Sequence, residues 1–257
     1  MRSVLRFFGS ASLYECSLIE ALLEIDDWAK IAASMTLVED SFWTLRIDPP
    51  RAIPLTPEEP EDFMYEVCGK ILCGDIEDEK DRIAGWFRVY YADFGSAENH
   101  GVSAFEVLDT YQHTCEYAEA ILGSNEAPFS ARLQKLLGDE IWNFNLLILD
   151  RIEILPKYRG SGIGLLVLIS LIERFGAGAG VVGMKPFPLQ FEPEQSRDSS
   201  AWVKRLRLGD LPRDSKMATD KLTQYYGKLG FVEMKSTPFM FRSMSWALPS
   251  AEQLRSE

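Results

Sequence analysis

The stretch Ile152-Glu-Ile-Leu-Pro-Lys-Tyr-Arg-Gly-Ser-Gly-Ile-Gly-Leu165 decides the fold of this chain. The almost entirely apolar residues 146–149 predict a buried strand that leads into it, and the apolar residues after it predict a helix that ends at Phe175. Glycines let a turn bring several backbone N–H groups close to a ligand, and the helix dipole favours an anion there. The stretch therefore predicts a binding turn for a pyrophosphate.

Two common phosphate-binding turns do not fit these glycines. A P-loop needs Lys and then Ser or Thr after its last glycine, whereas Gly164 is followed by two leucines. The dinucleotide fingerprint needs another glycine spacing and an acid about 20 residues further on. Here Gly160 begins a run with glycine at alternate positions, and Glu173 comes too early. An ordinary strand–helix turn stays open as the structural alternative.

The pattern Arg-x-x-Gly-x-Gly at residues 159–164 resembles motif A of the GCN5-related N-acetyltransferases, and Tyr-Tyr-Gly-Lys-Leu-Gly-Phe at 225–231 is similar to a second signature of that family. The resemblance covers residues 60–95 and 142–246. It implies an α/β (α+β) fold with a mixed, mostly antiparallel central sheet. Helices flank this sheet, which is splayed at the cofactor-binding strand. The resemblance also implies acetyl-CoA as co-substrate.

The same resemblance implies the residues that hold the cofactor. Main-chain amides of the turn bind the pyrophosphate, and the residues are Arg159, Gly160, Ser161, Gly162, Ile163 and Gly164. The backbone of Ile154 and Leu155 pairs with the pantetheine arm like an added strand. Thr219 stands where relatives often carry an asparagine near the cofactor thiol, and this departure weakens the catalytic details.

For catalysis, Tyr226 matches the family tyrosine that protonates the departing thiolate of CoA. Packing in the core is its structural alternative. Asp150 and Glu153 are the candidate bases, and regular pleating would put them on opposite faces of the strand. Pairing of Asp150 with Arg151 or with another cation is an equally weighted alternative for that carboxylate.

The histidines and cysteines could also take part in chemistry, but their positions in the sequence support such a role less well. His113 is expected on the polar flank of a helix, where a single histidine is usually solvated or capping, and His100 has no better pattern. The cysteine spacing fits no zinc site, so no metal is predicted and reduced thiols are expected; the residues are Cys16, Cys68, Cys73 and Cys115.

The net charge of −12 is unevenly divided: residues 1–150 carry −17 and residues 151–257 carry +5. Acidity argues against nucleic acid as a partner, and also against the tRNA-modifying toxins of this fold, because phosphate backbones are held by clustered Lys and Arg. The positive half holds both motifs, which suits a polyanionic CoA. The acidic half predicts a cationic amine as acceptor, unless the asymmetry only serves solubility.

A single domain over residues 1–257 is predicted, with an N-terminal helical and extended extension over 1–60, a helical insertion over 96–141 and the acetyl-CoA-binding core over 142–246. The insertion can be a packing element, a dimer surface or a substrate lid. Periodicity predicts strands at 41–47, 63–73, 83–94, 142–155, 181–184, 231–234 and 239–246. It predicts helices at 12–35, 103–122, 131–137 and 219–229, and a helical turn at 201–208 within a long loop.

The sequence therefore predicts an N-acetyltransferase that moves an acetyl group from acetyl-CoA to a primary amine, either a small cationic molecule or a protein amine. The alternative is a non-catalytic acyl-CoA-binding or regulatory module on the same fold. No apolar run reaches the ~20 residues of a membrane span, and no secretory signal is recognised, so a cytoplasmic protein is expected. Whether the protein forms a homodimer stays open.

Overall fold

The computed structural model describes residues 41–49, 54–75, 81–123, 129–138, 141–192, 201–250 and 253–254. Its strands are β1 (Ser41–Ile47), β2 (Met64–Asp75), β3 (Arg82–Ala92), β4 (Asn145–Ile154), β5 (Ala179–Met184), β6 (Val232–Glu233) and β7 (Met240–Ser243). They form one sheet in the order β1-β2-β3-β4-β5-β7-β6. Only the β4–β5 pair is parallel among these neighbours, so the sheet is mixed and mostly antiparallel, as expected.

Seven helices accompany the sheet in the described part of the chain. They are α1 (Phe94–Asn99), α2 (Ala104–Asp109), α3 (Gln112–Ile121), α4 (Ala131–Leu137), α5 (Ile163–Phe175), α6 (Ala201–Leu206) and α7 (Ser215–Gly227). Short 3-10 turns occupy Pro60–Phe63, Pro156–Tyr158, Leu189–Phe191 and Leu208–Asp210. The predicted helix at 12–35 lies outside the described residues.

The prediction of one helix over 103–122 is wrong, because two helices occupy it. Thr110 and Tyr111 separate α2 from α3, and Tyr111 has an extended backbone with φ −129°. The Thr114 hydroxyl donates to the Leu108 carbonyl at 2.6 Å and so stabilises the bend. Side-chain to backbone hydrogen bonds of this kind compete with a continuous helix, and apolar periodicity does not reveal them.

Capping side chains explain why other helices and strands begin or end at residues different from the predicted ones. The carboxylate of Asp93 accepts from the Ser96 amide and starts α1, so the strand predicted over 83–94 ends at Ala92. Asp214 accepts from the Met217 amide and starts α7 earlier than predicted. The two closing strands are likewise shorter than predicted. Aspartate is favoured at such positions because its oxygen satisfies an unpaired N–H of the first turn.

Both faces of β4 are buried, which confirms it as a central strand. Leu147 and Leu149 belong to the core that α5 covers. Leu146 and Ile148 belong to the core on the other face, which the helices of residues 96–141 cover. Those helices therefore pack against the sheet, with Phe129 fully buried among them.

The strands β4 and β5 separate midway. Their pairing ends at Leu149, whose partner is Met184, the last residue of β5. β4 continues to Ile154, and β3 is its one strand partner there among the described residues. The Leu155 amide donates to the Ala84 carbonyl at 2.8 Å. Because antiparallel pairing alternates, the peptide groups of Ile154 face the side that β5 has left.

Two further expectations from the sequence concerned membrane spans and the state of the cysteines. None of the described helices is both long and apolar enough to cross a membrane. The cysteines that the structure describes, Cys68, Cys73 and Cys115, are free thiols.

Candidate functional site

A cleft of about 960 Å³ lies where β4 and β5 separate. Its walls are residues 149–154 of β4, the glycine turn (residues 159–164), one face of α7 and a crossing segment. We define the crossing segment as residues 185–192 together with residues 201–214. The residues of the turn and the second signature thus meet in one place. Clefts of this size, mostly apolar with a few convergent polar groups, are typical of small-molecule sites.

The glycine turn places the N-terminus of α5 at the wall of the cleft. Gly160 and Gly162 have φ values of +81° and +78°, which side chains with a Cβ rarely adopt. Gly162 is the N-cap of α5, and no side chain caps it. The Ser161 hydroxyl donates to the Tyr158 carbonyl at 2.9 Å and closes the turn. The Leu165 amide donates to the Gly162 carbonyl at 3.0 Å, so the amides of Ile163 and Gly164 are the ones that can bind an anion.

Gly164 lets α7 approach the turn. A Cβ at this position would lie 2.6 Å from the Tyr225 hydroxyl oxygen, which is closer than real contacts allow. That hydroxyl accepts a hydrogen bond from the Leu165 amide. Burial raises the pKa of Tyr225 to about 12, so its hydroxyl stays neutral. Tyr225 therefore supports the turn from α7.

Tyr226 lies beside Tyr225 and lines the cleft. Their ring centroids are 5.7 Å apart with the planes at 62°. Burial, and to a smaller degree Tyr225, raises the pKa of Tyr226 well above its ordinary value. The hydroxyl therefore stays protonated at neutral pH, which is the state that can donate a proton or a hydrogen bond.

The Arg159 side chain is engaged in the protein. Its Nε donates to the Ile154 carbonyl at 2.8 Å, and one Nη donates to the Leu206 carbonyl at 2.7 Å. Burial lowers the pKa of this guanidinium, but not enough to remove its charge. Arg159 thus ties the end of β4 to α6, and its backbone amide donates to the Pro156 carbonyl at 3.2 Å.

Asp150 occupies a β-bulge. Its neighbours Leu149 and Arg151 pair with consecutive residues of β3, Val89 and Arg88, so Asp150 is the extra residue. Bulges re-aim side chains and are frequent beside active sites. Here the bulge lies at the point where β4 leaves β5, and Asp150 lines the cleft.

The bulge also changes the position of Glu153. Glu153 pairs with Trp86, and the Arg88 guanidinium lies 5.8 Å from the Trp86 ring on the same face of β3. Because Arg88 also holds Asp150, both carboxylates lie on one face of the sheet. The expectation of opposite faces, which assumed regular pleating, is therefore wrong.

Asp150 forms an ion pair. Its Oδ2 accepts from Arg88 Nε at 2.6 Å, so the alternative of pairing with a cation is what the structure has, with Arg88 rather than Arg151 as partner. Its Oδ1 lies 3.9 Å from Nε2 of His113. One oxygen of this carboxylate is therefore fixed by Arg88, and the other faces an imidazole.

Glu153 anchors the crossing segment. Its side chain is 5% exposed, Oε1 accepts from Arg151 Nε at 2.7 Å, and Oε2 accepts from Trp202 Nε1 at 2.6 Å. Arg151 also donates through both Nη atoms to Glu192, at 2.8 and 2.6 Å. Hydrogen bonds to these carboxylates raise the pKa of Arg151 above its ordinary value. Both Glu153 oxygens are thus engaged in holding neighbours.

Most of the sequence-predicted site residues come together in the cleft, and two do not. Residues 159–164, Ile154, Asp150, Glu153 and Tyr226 line it. Leu155 is buried in the core with its amide bonded to β3, and Thr219 lies outside the lining.

Sequence reasoning missed the partners of Asp150, Arg151 and Glu153. Arg88, Glu192 and Trp202 are separated from their partners by 62, 41 and 49 residues, so no local pattern marks them. Helix periodicity likewise gave no sign that His113 meets Asp150. Asp150, Arg151 and Glu153 place charges of both signs in an otherwise apolar strand, and this is the local sign that they have charged partners elsewhere in the chain.

Comparisons of this chain with family models, with curated proteins and with solved structures give no match. The functional assignment therefore comes from the residues and geometry of the cleft.

Proposed function

We propose that this chain is a CoA-dependent N-acyltransferase with a GCN5-related fold, which moves an acetyl group from acetyl-CoA to a primary amine. The observation that carries the proposal is one cleft in which the first amides of α5, the edge of β4 that β5 has left and the Tyr226 side chain meet. Each of these three features matches one part of the donor: its pyrophosphate, its pantetheine arm and its thiol.

The turn and its neighbours suit the charge of CoA. Lys221 and Lys228 of the α7 region line the cleft, together with the amides of the glycine turn. Cations and aligned amides stabilise phosphate groups. The peptide groups of Ile154 that face the gap accept the pantetheine arm as an added strand, and the carbonyl retains one lone pair beside its bond from Arg159.

The chemical step is a direct attack. The amine nitrogen forms a bond to the thioester carbonyl carbon, and the bond from that carbon to sulfur breaks. Tyr226 gives its hydroxyl proton to the departing thiolate and takes a proton back from water. The proton that the amine releases passes to Asp150, whose Oδ1 is not held by any arginine or lysine of the described residues. Glu153 is less suited to this role because both of its oxygens are engaged.

The acceptor is a small cationic amine or a protein amine. The support for a cationic acceptor is the net charge of −17 over residues 1–150, which supply the helices behind Asp150. The immediate carboxylates are compensated by Arg88 and Arg151, so the wider field rather than these two groups attracts the amine.

A non-catalytic acyl-CoA-binding module is the second candidate. The observation that favours it is the pairing of both β4 carboxylates with arginines, which already occupies oxygens that a general base would use. The two candidates share the cofactor site and differ only in turnover.

Calorimetric titration with acetyl-CoA tests the shared site. We expect one molecule bound per chain, and a loss of affinity of at least about 100-fold in Gly162→Glu, since like charges placed together cost several kcal/mol. Gly101→Glu is the matched control, because Gly101 has the same φ of +78° and lies away from the cleft. Equal binding by wild type and Gly162→Glu would contradict the proposal. Release of the CoA thiol on addition of an amine then separates the enzyme from the module.

A further inference from the structure

His113 has an environment that the acyl transfer alone does not explain. It is the second residue of α3, and its ring stacks on Tyr111 at 5.6 Å and lies 5.0 Å from the ring of Tyr90. Its Nε2 is buried, and no described residue offers it a hydrogen-bond partner. Buried polar atoms without partners are uncommon and call for an explanation.

The same nitrogen faces the carboxylate of the cleft. Nε2 lies 3.9 Å from Oδ1 of Asp150, whose other oxygen is fixed by Arg88. A shift of about 1 Å would make this a hydrogen bond, and catalytic hydrogen bonds often tighten only when substrate binds. The His113 side chain itself is 39% exposed, while the Asp150 side chain is 15% exposed and lines the cleft. Asp150 therefore lies between the cleft and a ring that reaches solvent.

We propose that His113 carries to solvent the proton that Asp150 takes from the attacking amine. The inference rests on the proposed acyl transfer. The proton leaves the amine nitrogen for Oδ1 of Asp150 as the carbon–nitrogen bond forms. It then passes from Oδ1 to the lone pair of His113 Nε2, and the imidazolium releases its Nδ1 proton to water. Exchange of the remaining ring proton with solvent restores the starting tautomer, so both side chains return to their starting states.

The groups around His113 come from four elements. The charged groups that face His113 are Glu66 of β2, Arg88 of β3, Asp150 of β4 and Glu116 of α3, and the Tyr90 hydroxyl donates to Glu66.

Burial is the largest influence on the pKa of His113 and lowers it, with Arg88 acting in the same sense and the three carboxylates opposing. The ring is therefore neutral at pH 7 and free to accept a proton.

Proton NMR tests the contact without any need for substrate. The chain has two histidines, so His113→Gln assigns the two imidazole signals and His100 serves as the internal control. In Asp150→Asn we expect the titration midpoint of His113 to move to lower pH, because an opposing negative charge is removed, while that of His100 stays unchanged. An unchanged His113 midpoint would overturn the proposal.

Turnover with acetyl-CoA and an amine acceptor tests the relay itself. In dilute buffer we expect kcat of His113→Ala to fall on the order of 10², with recovery as imidazole is added, since a free base replaces the missing ring. Wild type and His100→Ala should not depend on imidazole. A full rate in His113→Ala, or a deficit that imidazole does not change, would overturn the relay. Failure of wild type to bind or use acetyl-CoA would instead overturn the acyl transfer, and with it the role of this contact.

Discussion

The glycine turn and the β4 carboxylates follow each other within residues 150–164, yet the protein builds them in different ways. The turn is local: Gly160 and Gly162 provide its backbone conformation, and the start of α5 provides its amides. The carboxylates depend on distant partners, with Arg88 from β3 on Asp150 and Trp202 from the crossing segment on Glu153. The difference shows that the backbone of the glycine turn is specified locally, whereas the surroundings of the two carboxylates are set by tertiary contacts.

The largest expected effect concerns Tyr226. In Tyr226→Phe we expect kcat to fall about 10²–10⁴-fold with little change in the affinity for acetyl-CoA, because only the proton donor is removed. Rapid-quench turnover together with calorimetry measures the two quantities. A tyrosine that only packs in the core would lose affinity or stability without this selective loss of kcat.

Substitution of Glu153 should lower the stability of the folded protein. Its carboxylate is buried with two donors, and breaking such a network costs about 3 kcal/mol, so we expect Glu153→Gln to lower the free energy of unfolding by that amount. Trp202→Phe removes one of the two donors and should cost about 1 kcal/mol. Urea unfolding measures both. Equal, negligible losses would show that Glu153 does not anchor the crossing segment.

Gly164 and Tyr225 test how the turn is supported. Gly164→Ala places a methyl group against the Tyr225 hydroxyl, and we expect acetyl-CoA affinity to fall about tenfold, since overpacking costs about 1–3 kcal/mol. The double variant with Tyr225→Phe removes the hydroxyl and should regain part of the loss. If the second change adds to the first, the contact does not govern the turn.

The smallest expected effect is in the pH profile. Burial raises the pKa of Tyr226 above its ordinary value of 10.0, and the protonated hydroxyl is the active form, lost only as pH rises through that raised pKa. We therefore expect kcat to show no decline from Tyr226 between about pH 7 and pH 9.5. A descending limb within this range that Tyr226→Phe abolishes would show that the hydroxyl loses its proton too early to serve as the donor.

The same contrast explains how much the sequence could predict. Apolar runs and glycines were enough for the strands, for α5 and for the location of the turn, because these features depend on neighbouring residues. The break at Thr110 and the bulge at Asp150 escaped prediction, since one depends on a hydroxyl that meets a backbone carbonyl and the other on register with β3. The role of the crossing segment depends on bonds across 41–49 residues.

In the proposed function the cleft transfers an acyl group and does not merely bind its donor. Mass spectrometry of a panel of primary amines, after incubation with the chain and acetyl-CoA labelled in the acetyl group, tests this most directly. We expect the label on the nitrogen of at least one amine, in an amount that falls sharply with Tyr226→Phe. Recovery of bound, intact acetyl-CoA with every amine unlabelled would contradict the claim.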